Sequence, residues 1–107
     1  MQKRNKIMIS QPMAGLTDFE IDEARENAVK LLESKGFEIV DTLFSEFTYK
    51  DLSDLDIKHI PLYYLSQSLK YMSKCDAVYF CKGWENARGC EIEHKAAVEY
   101  GLDCFYE

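Results

Sequence analysis

A strand, a helix and a second strand follow one another at the start of the chain, and this pattern restricts the fold more than any other feature. The apolar run KIMIS (residues 6–10) ends at a Gln-Pro break, as a buried strand does. Thr17 and Glu20 stand at capping-box spacing before a helix that stops at Gly36, and FEIVD (residues 37–41) predicts the next strand. Since a helical crossover joins parallel strands with a right-handed turn, the pattern predicts a βαβ unit.

The rest of the chain continues this alternation. The pattern predicts a loop with a short helix (42–60), a helix with Pro in its first turn (61–75), a third strand (76–81), a loop and helix (83–101) and a last strand (102–107). The 107 residues are enough for one hydrophobic core and too few for two. We therefore predict a single α/β domain over residues 1–107, with about four parallel strands and helices on both faces of the sheet.

Charge and composition exclude several classes of partner. The formal net charge is −6 and the basic residues form no patch beyond KRNK near the N-terminus, so we expect no nucleic acid polymer as a partner. No apolar run approaches the roughly 20 residues of a membrane span and no signal peptide is recognisable, so we expect a cytoplasmic protein without membrane contact.

The four cysteines include no C-x-x-C pair and are interpreted as reduced core residues. The aspartates near residue 54 lack the glycine and glutamate of a calcium loop, and we expect neither a metal nor a cofactor.

One glutamate of the last predicted helix does not fit a solvent-exposed face. On a helical wheel drawn from about residue 90, Ile92, Ala96, Ala97 and Tyr100 share one arc, and Glu93 lies in its middle. A carboxylate directed at a core costs several kcal/mol unless it is hydrogen-bonded, paired or facing a cleft. Glu93 is therefore either part of a buried structural network or a functional group facing a ligand.

Two loops are expected near Glu93, because open parallel sheets bind ligands beyond the carboxyl ends of their strands. In SQPMAGLT (residues 10–17), Gly15 permits close backbone approach and the following helix offers free N–H groups. This segment either holds a phosphate or a sugar hydroxyl or is an ordinary strand-to-helix turn.

The second loop is KGWENARG (residues 82–89). Its Trp84 either offers a flat face to a base or covers the edge of the sheet, and Asn86 is a candidate helix cap. His94, beyond this loop, has no metal-binding or nucleophile partner pattern and is expected to be solvated.

The two ends of the chain resemble a known family. KIMISQPMAGL near the start and CDAVYFCKGWENARGCEIEHKAAVEYGLDCFYE at the end are similar to the nucleoside 2-deoxyribosyltransferase-like superfamily, in particular to its small phage- and prophage-borne branch. That branch has the pattern I-S-G-P-M-x-G followed by C-D…G-W-E-x-S-x-G-x-x-x-E, and the resemblance covers most of the chain except about residues 42–60. It implies a flavodoxin-like (Rossmann-like) fold, a nucleoside or nucleotide substrate, and a homo-oligomer whose sites are completed at subunit contacts.

The resemblance also implies a covalent mechanism. In the superfamily a helix glutamate four residues after a loop glycine attacks the sugar C1′, releases the base and leaves a glycosyl-enzyme ester, and Gly89 and Glu93 reproduce that spacing. The catalytic role is thus carried onto Glu93. Substrate-binding roles are carried onto Ser10, Gln11, Pro12, Met13, Gly15, Ser68, Gly83, Trp84, Glu85 and Gly89.

Three positions depart from the family pattern. Ser68 stands where an aspartate commonly assists the leaving base, Ala87 replaces a Ser or Asp, and Gln11 replaces the glycine of I-S-G-P. A nucleophile without an acid cleaves only substrates whose base leaves readily, unless Glu85, Asp76 or a partner subunit supplies the proton.

Two functions remain open from the sequence. The first is cleavage or transfer of the N-glycosidic bond of a nucleoside or (deoxy)nucleotide, by a deoxyribosyltransferase or a nucleotide hydrolase. The alternative is a non-catalytic protein that binds and sequesters a nucleotide on the same fold. The retained Glu93 favours the first and the missing acid favours the second. The sequence leaves open the base, the sugar, the need for a phosphate and the oligomeric state.

Overall fold

The structure, a computed structural model, describes residues 5–40 and 56–107. In chain order, the elements of these residues are β1 (Lys6–Ser10), α1 (Asp18–Ser34), β2 (Glu38–Ile39), α2 (Ile60–Met72), β3 (Ala77–Phe80), a 3₁₀ turn (Trp84–Asn86), α3 (Arg88–Glu99) and β4 (Asp103–Tyr106). The strands form one sheet in the order β2-β1-β3-β4, and all neighbouring pairs are parallel. The predicted α/β fold is confirmed.

Helices cover both faces of the sheet because its two central strands are almost continuously apolar, as expected for parallel strands buried on both sides. On one face, side chains of β1 and β3 pack against α1; the fully buried members are Ile7, Ile9, Ala28, Leu32, Ala77, Tyr79 and Cys81. On the other face the strands pack against α2 and α3; the buried members are Met8, Met72, Val78, Phe80 and Ala97.

Helix α1 begins and ends as the sequence predicts. The Glu20 backbone N–H donates to the Thr17 hydroxyl at 3.1 Å, and the Thr17 backbone N–H donates to the Glu20 carboxylate at 3.2 Å. This is the predicted capping box. At the other end, Gly36 adopts a φ of +88°, which glycine reaches at low cost and which ends the helix.

Some predicted boundaries differ from those observed. Of the strand predicted over residues 37–41, Glu38–Ile39 is strand and pairs with β1 at the edge of the sheet, and residue 41 lies outside the described residues. Most of the loop and short helix predicted for 42–60 lies outside the described residues. Pro61 stands in the first turn of α2, as predicted. Within residues 5–40 and 56–107, every helix is too short or too polar to cross a membrane.

The order of the strands leaves a crevice at one end of the sheet. The chain leaves β1 through α1 toward β2 on one side, and it leaves β3 through α3 toward β4 on the other. Ser10 and Phe80, the last residues of β1 and β3, are register partners, so the two diverging loops start side by side. Such a switch point is where open α/β sheets bind their ligands.

Candidate functional site

A cavity of about 710 Å³ opens at this switch point. Residues of the loop after β1, of α1, of α2 and of the start of α3 form its wall. A volume of this size lies within the range of small-molecule sites.

Glu93 projects from α3 into the wall of the cavity and is only 8% exposed. The Ser10 hydroxyl, itself 2% exposed, donates a hydrogen bond to Oε2 of Glu93 at 2.5 Å. Burial raises the pKa of the Glu93 carboxyl, whereas hydrogen bonds from the Ser10 and Ser68 hydroxyls act in the opposite direction. The carboxylate thus faces a space large enough for a ligand, in surroundings that oppose its charge.

The buried face of α3 differs from the face drawn on the helical wheel. Cys90, Glu93 and Ala97 are the buried residues of this helix, at the i, i+3, i+7 spacing. Ile92 is 43% exposed and Tyr100 is 85% exposed, so the prediction that they share the buried arc was wrong. Ile92 lies about 100° around the helix from its neighbour Glu93, and Tyr100 follows the last helical residue.

The predicted cap of α3 is also wrong. Asn86 ends the preceding 3₁₀ turn, and Ala87 occupies the N-cap position without a side-chain hydrogen bond. Because Ala87 to Cys90 line the cavity, the positive end of the helix dipole lies at its wall.

Six of the predicted substrate-binding residues line the same cavity as Glu93: Ser10, Gln11, Pro12, Met13, Ser68 and Gly89. The Gln11 amide is already engaged, since its Nε2 donates to the Ile21 carbonyl of α1 at 2.9 Å. The structure therefore brings the loop after β1, α2 and α3 together around Glu93.

The other four predicted residues, Gly15, Gly83, Trp84 and Glu85, are not part of the cavity wall. Gly83 has a φ of +91°, and a Cβ atom there would lie 3.6 Å from Cγ of Pro12. Its backbone conformation, rather than contact with a ligand, is what requires glycine at this position.

Trp84 belongs to an aromatic cluster beside the cavity. Its ring centroid lies 4.3 Å from that of His94 and 5.3 Å from that of Phe80. Nε2 of His94 lies 2.7 Å from the Tyr106 hydroxyl oxygen. Of the two interpretations of Trp84, the contacts favour a cover over the sheet. His94, expected to be solvated, is half-buried, and its ring contacts the indole of Trp84 and the phenol of Tyr106.

Several wall residues were not singled out from the sequence, and Arg25, Tyr64, Arg88 and Cys90 are the polar ones among them. Cys90 precedes Glu93 by three residues, and this helical spacing is a signal that places both on one face. Arg25 and Tyr64 come from α1 and α2, and their approach to the cavity depends on how those helices pack on the sheet.

Comparison with known proteins gives one family. The model of a family described as "Domain of unknown function (DUF4406)" matches residues 5–106, which is nearly the whole chain. No curated protein and no solved structure shows a significant match.

Proposed function

We propose that this chain, which belongs to the DUF4406 family, cleaves or transfers the N-glycosidic bond of a nucleoside or nucleotide with Glu93 as the nucleophile. The observation that carries the proposal is a carboxylate that is 8% exposed, lies in the wall of a 710 Å³ cavity and has one oxygen held by Ser10. The resemblance of the two end motifs to deoxyribosyltransferase-like enzymes supports the same role.

The chemistry needs an ionised carboxylate beside the sugar. In the first step an oxygen of Glu93 forms a bond to C1′ while the C1′–N bond breaks. The electron pair of the C1′–N bond leaves with the base. In the second step water or another base attacks C1′ and releases the carboxylate. Water gives hydrolysis and a base gives transfer, so one site accounts for both reactions.

The leaving base needs a proton, and neither of the two carboxylates suggested from the sequence is placed to give it. Asp76 accepts a hydrogen bond from the Lys6 backbone N–H at 2.9 Å, and Lys6 starts β1 at the end remote from the cavity. Glu85 is exposed and absent from the wall. We therefore expect water or a partner subunit to protonate the base, and a preference for bases that leave readily.

Two arginines favour a nucleotide over a nucleoside within this proposal. Arg25 and Arg88 are the basic members of the described wall, in a chain whose formal net charge is −6. Guanidinium groups bind phosphate oxygens in bidentate fashion, and the start of α3 adds backbone N–H groups at the same wall. These groups suit an anionic substrate better than a neutral one.

Nucleotide binding without turnover is the second candidate. Among the described wall residues Glu93 is the single carboxylic acid, so a second acid for the leaving base is missing from them. A protein with this wall retains the means to hold a nucleotide even if the bond is never broken.

Mass spectrometry separates the two candidates. Wild type, Glu93→Gln and the matched control Glu99→Gln, which changes an exposed carboxylate of the same helix, are incubated with nucleosides, deoxynucleoside monophosphates and NAD. The proposal expects free base from wild type and Glu99→Gln and none from Glu93→Gln. Base release by all three would remove Glu93 from the mechanism. An intact nucleotide recovered only after denaturation, with no base formed, would establish the binding protein.

A further inference from the structure

We infer that Ser10 is a positioning residue that holds Oε2 of Glu93, that Ser68 on the facing helix supports the same carboxylate, and that Oε1 is left as the oxygen that reacts. The claim that Oε1 reacts rests on the proposed function. The orientation of the carboxylate depends on contacts within the protein and not on the identity of the substrate.

The Ser10 contact fixes one carboxylate oxygen. A serine hydroxyl carries one proton, and Ser10 donates that proton to Oε2 of Glu93 at 2.5 Å. Both groups are buried, so little water competes and a charge-assisted bond is stronger than at the surface. Ser10 therefore has no proton left to donate to a ligand, and its role shifts from the predicted substrate binding to the support of Glu93.

Ser68 approaches from a different element. It lies on α2 and lines the same cavity as Glu93. Burial raises the pKa of the Glu93 carboxyl, and the Ser68 hydroxyl, like that of Ser10, acts in the opposite direction. An aspartate at this position, as in the deoxyribosyltransferase-like pattern that the chain resembles, would place a second negative charge beside Glu93 and oppose its ionisation. The serine instead places a neutral hydroxyl at this wall.

The other charged and titratable groups of the wall are Arg25, Tyr64, Arg88 and Cys90. The arginines are cations and favour an ionised neighbour. Burial raises the pKa of the Cys90 thiol, and the nearby Glu93 carboxylate raises it further, so this thiol stays neutral. The two hydroxyls are thus the neutral donors that offset the burial of Glu93.

The arrangement has a consequence for the covalent step. With Oε2 held, Oε1 forms the bond to C1′, the C1′–N electron pair leaves with the base, and the base takes its proton from water. Oε2 becomes the carbonyl oxygen of the ester and still accepts from Ser10, although a neutral acceptor makes a weaker bond. Release of the sugar restores the charge and the stronger bond, so the carboxylate returns to the same orientation.

The test measures the proton affinity of Glu93 directly and needs no substrate. The carboxyl carbon is followed by NMR through a pH titration of protein labelled with ¹³C-glutamate, and Glu93→Gln assigns the signal. We expect Ser10→Ala and Ser68→Ala each to raise the proton affinity of Glu93 about tenfold, the effect of losing one hydrogen bond to a charged group. Ser68→Thr, which keeps the hydroxyl, restores the wild-type titration.

Ser66→Ala is the matched control, because Ser66 is an exposed serine of the same helix whose hydroxyl bonds to the Tyr63 carbonyl at 2.6 Å. It leaves the titration unchanged. A wild-type titration in Ser10→Ala would overturn the inference, since a merely structural serine changes stability and not the proton affinity of Glu93.

The acidic limb of the kcat/KM profile separates this inference from the proposed function. If base is released, the limb moves to higher pH in Ser10→Ala and Ser68→Ala. A shifted titration without base release from any nucleotide supports the hold on Glu93 and contradicts the enzyme. Base release with an unshifted titration and an unmoved limb supports the enzyme and contradicts the inference.

Discussion

Replacing Glu93 by glutamine is expected to stabilise the folded protein at neutral pH. Burial disfavours the charged carboxylate, and the Ser10 and Ser68 hydroxyls offset this only in part, since the pKa of Glu93 remains above its ordinary value of 4.5. Glutamine has nearly the same shape, and its amide oxygen accepts from Ser10 without a charge. A residue kept for function at a cost in stability behaves in this way, whereas a residue kept for structure does not.

The dependence on pH follows from the direction of the shift. A carboxyl whose folded-state pKa is raised contributes stability that is fully present below the unfolded pKa and is lost as the pH rises through the folded pKa. Wild type and Glu93→Gln should therefore be equally stable in acid, and the variant should gain as the pH rises above 4.5. Each tenfold rise in proton affinity corresponds to about 1.4 kcal/mol. We expect a gain of about 0.5–2 kcal/mol at neutral pH, in line with stability gains at functional sites.

Urea unfolding at several pH values measures this difference. A gain of 1 kcal/mol raises the Tm of a domain of about 100 residues by roughly 4–8 °C, which thermal unfolding detects independently. The control is Glu99→Gln, because Glu99 is exposed and its ion pair with Lys95 at 3.8 Å contributes little. A Glu93→Gln variant that is less stable than wild type at neutral pH would show that the carboxylate belongs to a structural network, and would refute the functional interpretation.

Two further predictions concern the cavity wall and the core. Arg88→Ala should weaken the binding of a deoxynucleoside monophosphate about 10-fold or more and change that of the nucleoside little, because one charge-assisted contact to the phosphate is lost. Calorimetry in the Glu93→Gln background, where the ligand is not cleaved, measures both affinities. An equal loss of affinity for the two ligands would contradict a phosphate contact. Burial raises the pKa of the Cys81 thiol to about 12, so this cysteine should resist iodoacetamide in the folded protein at neutral pH and react after unfolding in urea, as peptide mass spectrometry can follow. Rapid labelling of folded protein would show that β3 opens more readily than its burial indicates.

The sequence is most informative about α1 and the two central strands. The capping box of Thr17 and Glu20 is a local signal that needs no tertiary contact, and the apolar runs of β1 and β3 are buried on both faces. The edge strand β2 is less predictable, because strand propensity depends strongly on context and β2 pairs with β1 alone.

Helix α3 shows how a small error in phase changes a prediction. The wheel grouped Ile92 and Tyr100 with Glu93, but these two residues lie on one side of Glu93, and the helix buries Cys90 and Ala97 on the other side. Ala97 packs in the core on the sheet and Cys90 is buried beside the cavity, so tertiary packing decides which face of the helix is buried.

The partners of Glu93 could not be predicted from periodicity. Ser10 lies 83 residues from Glu93, and only the β1–β3 register and the position of α3 bring them together. Glu93 was identifiable because it places a charge on a helix face that is otherwise apolar. Such conflicts between local sequence patterns and the overall fold concentrate at functional sites. Ser68 is a second case, because its departure from the deoxyribosyltransferase-like pattern suggested a lost acid. In the structure it lines the cavity beside Glu93, where its hydroxyl opposes the effect of burial on the pKa of that carboxyl. Ser68→Asp distinguishes the two views, because a restored acid increases base release, whereas a second carboxylate beside Glu93 raises the proton affinity of the pair and decreases base release at neutral pH.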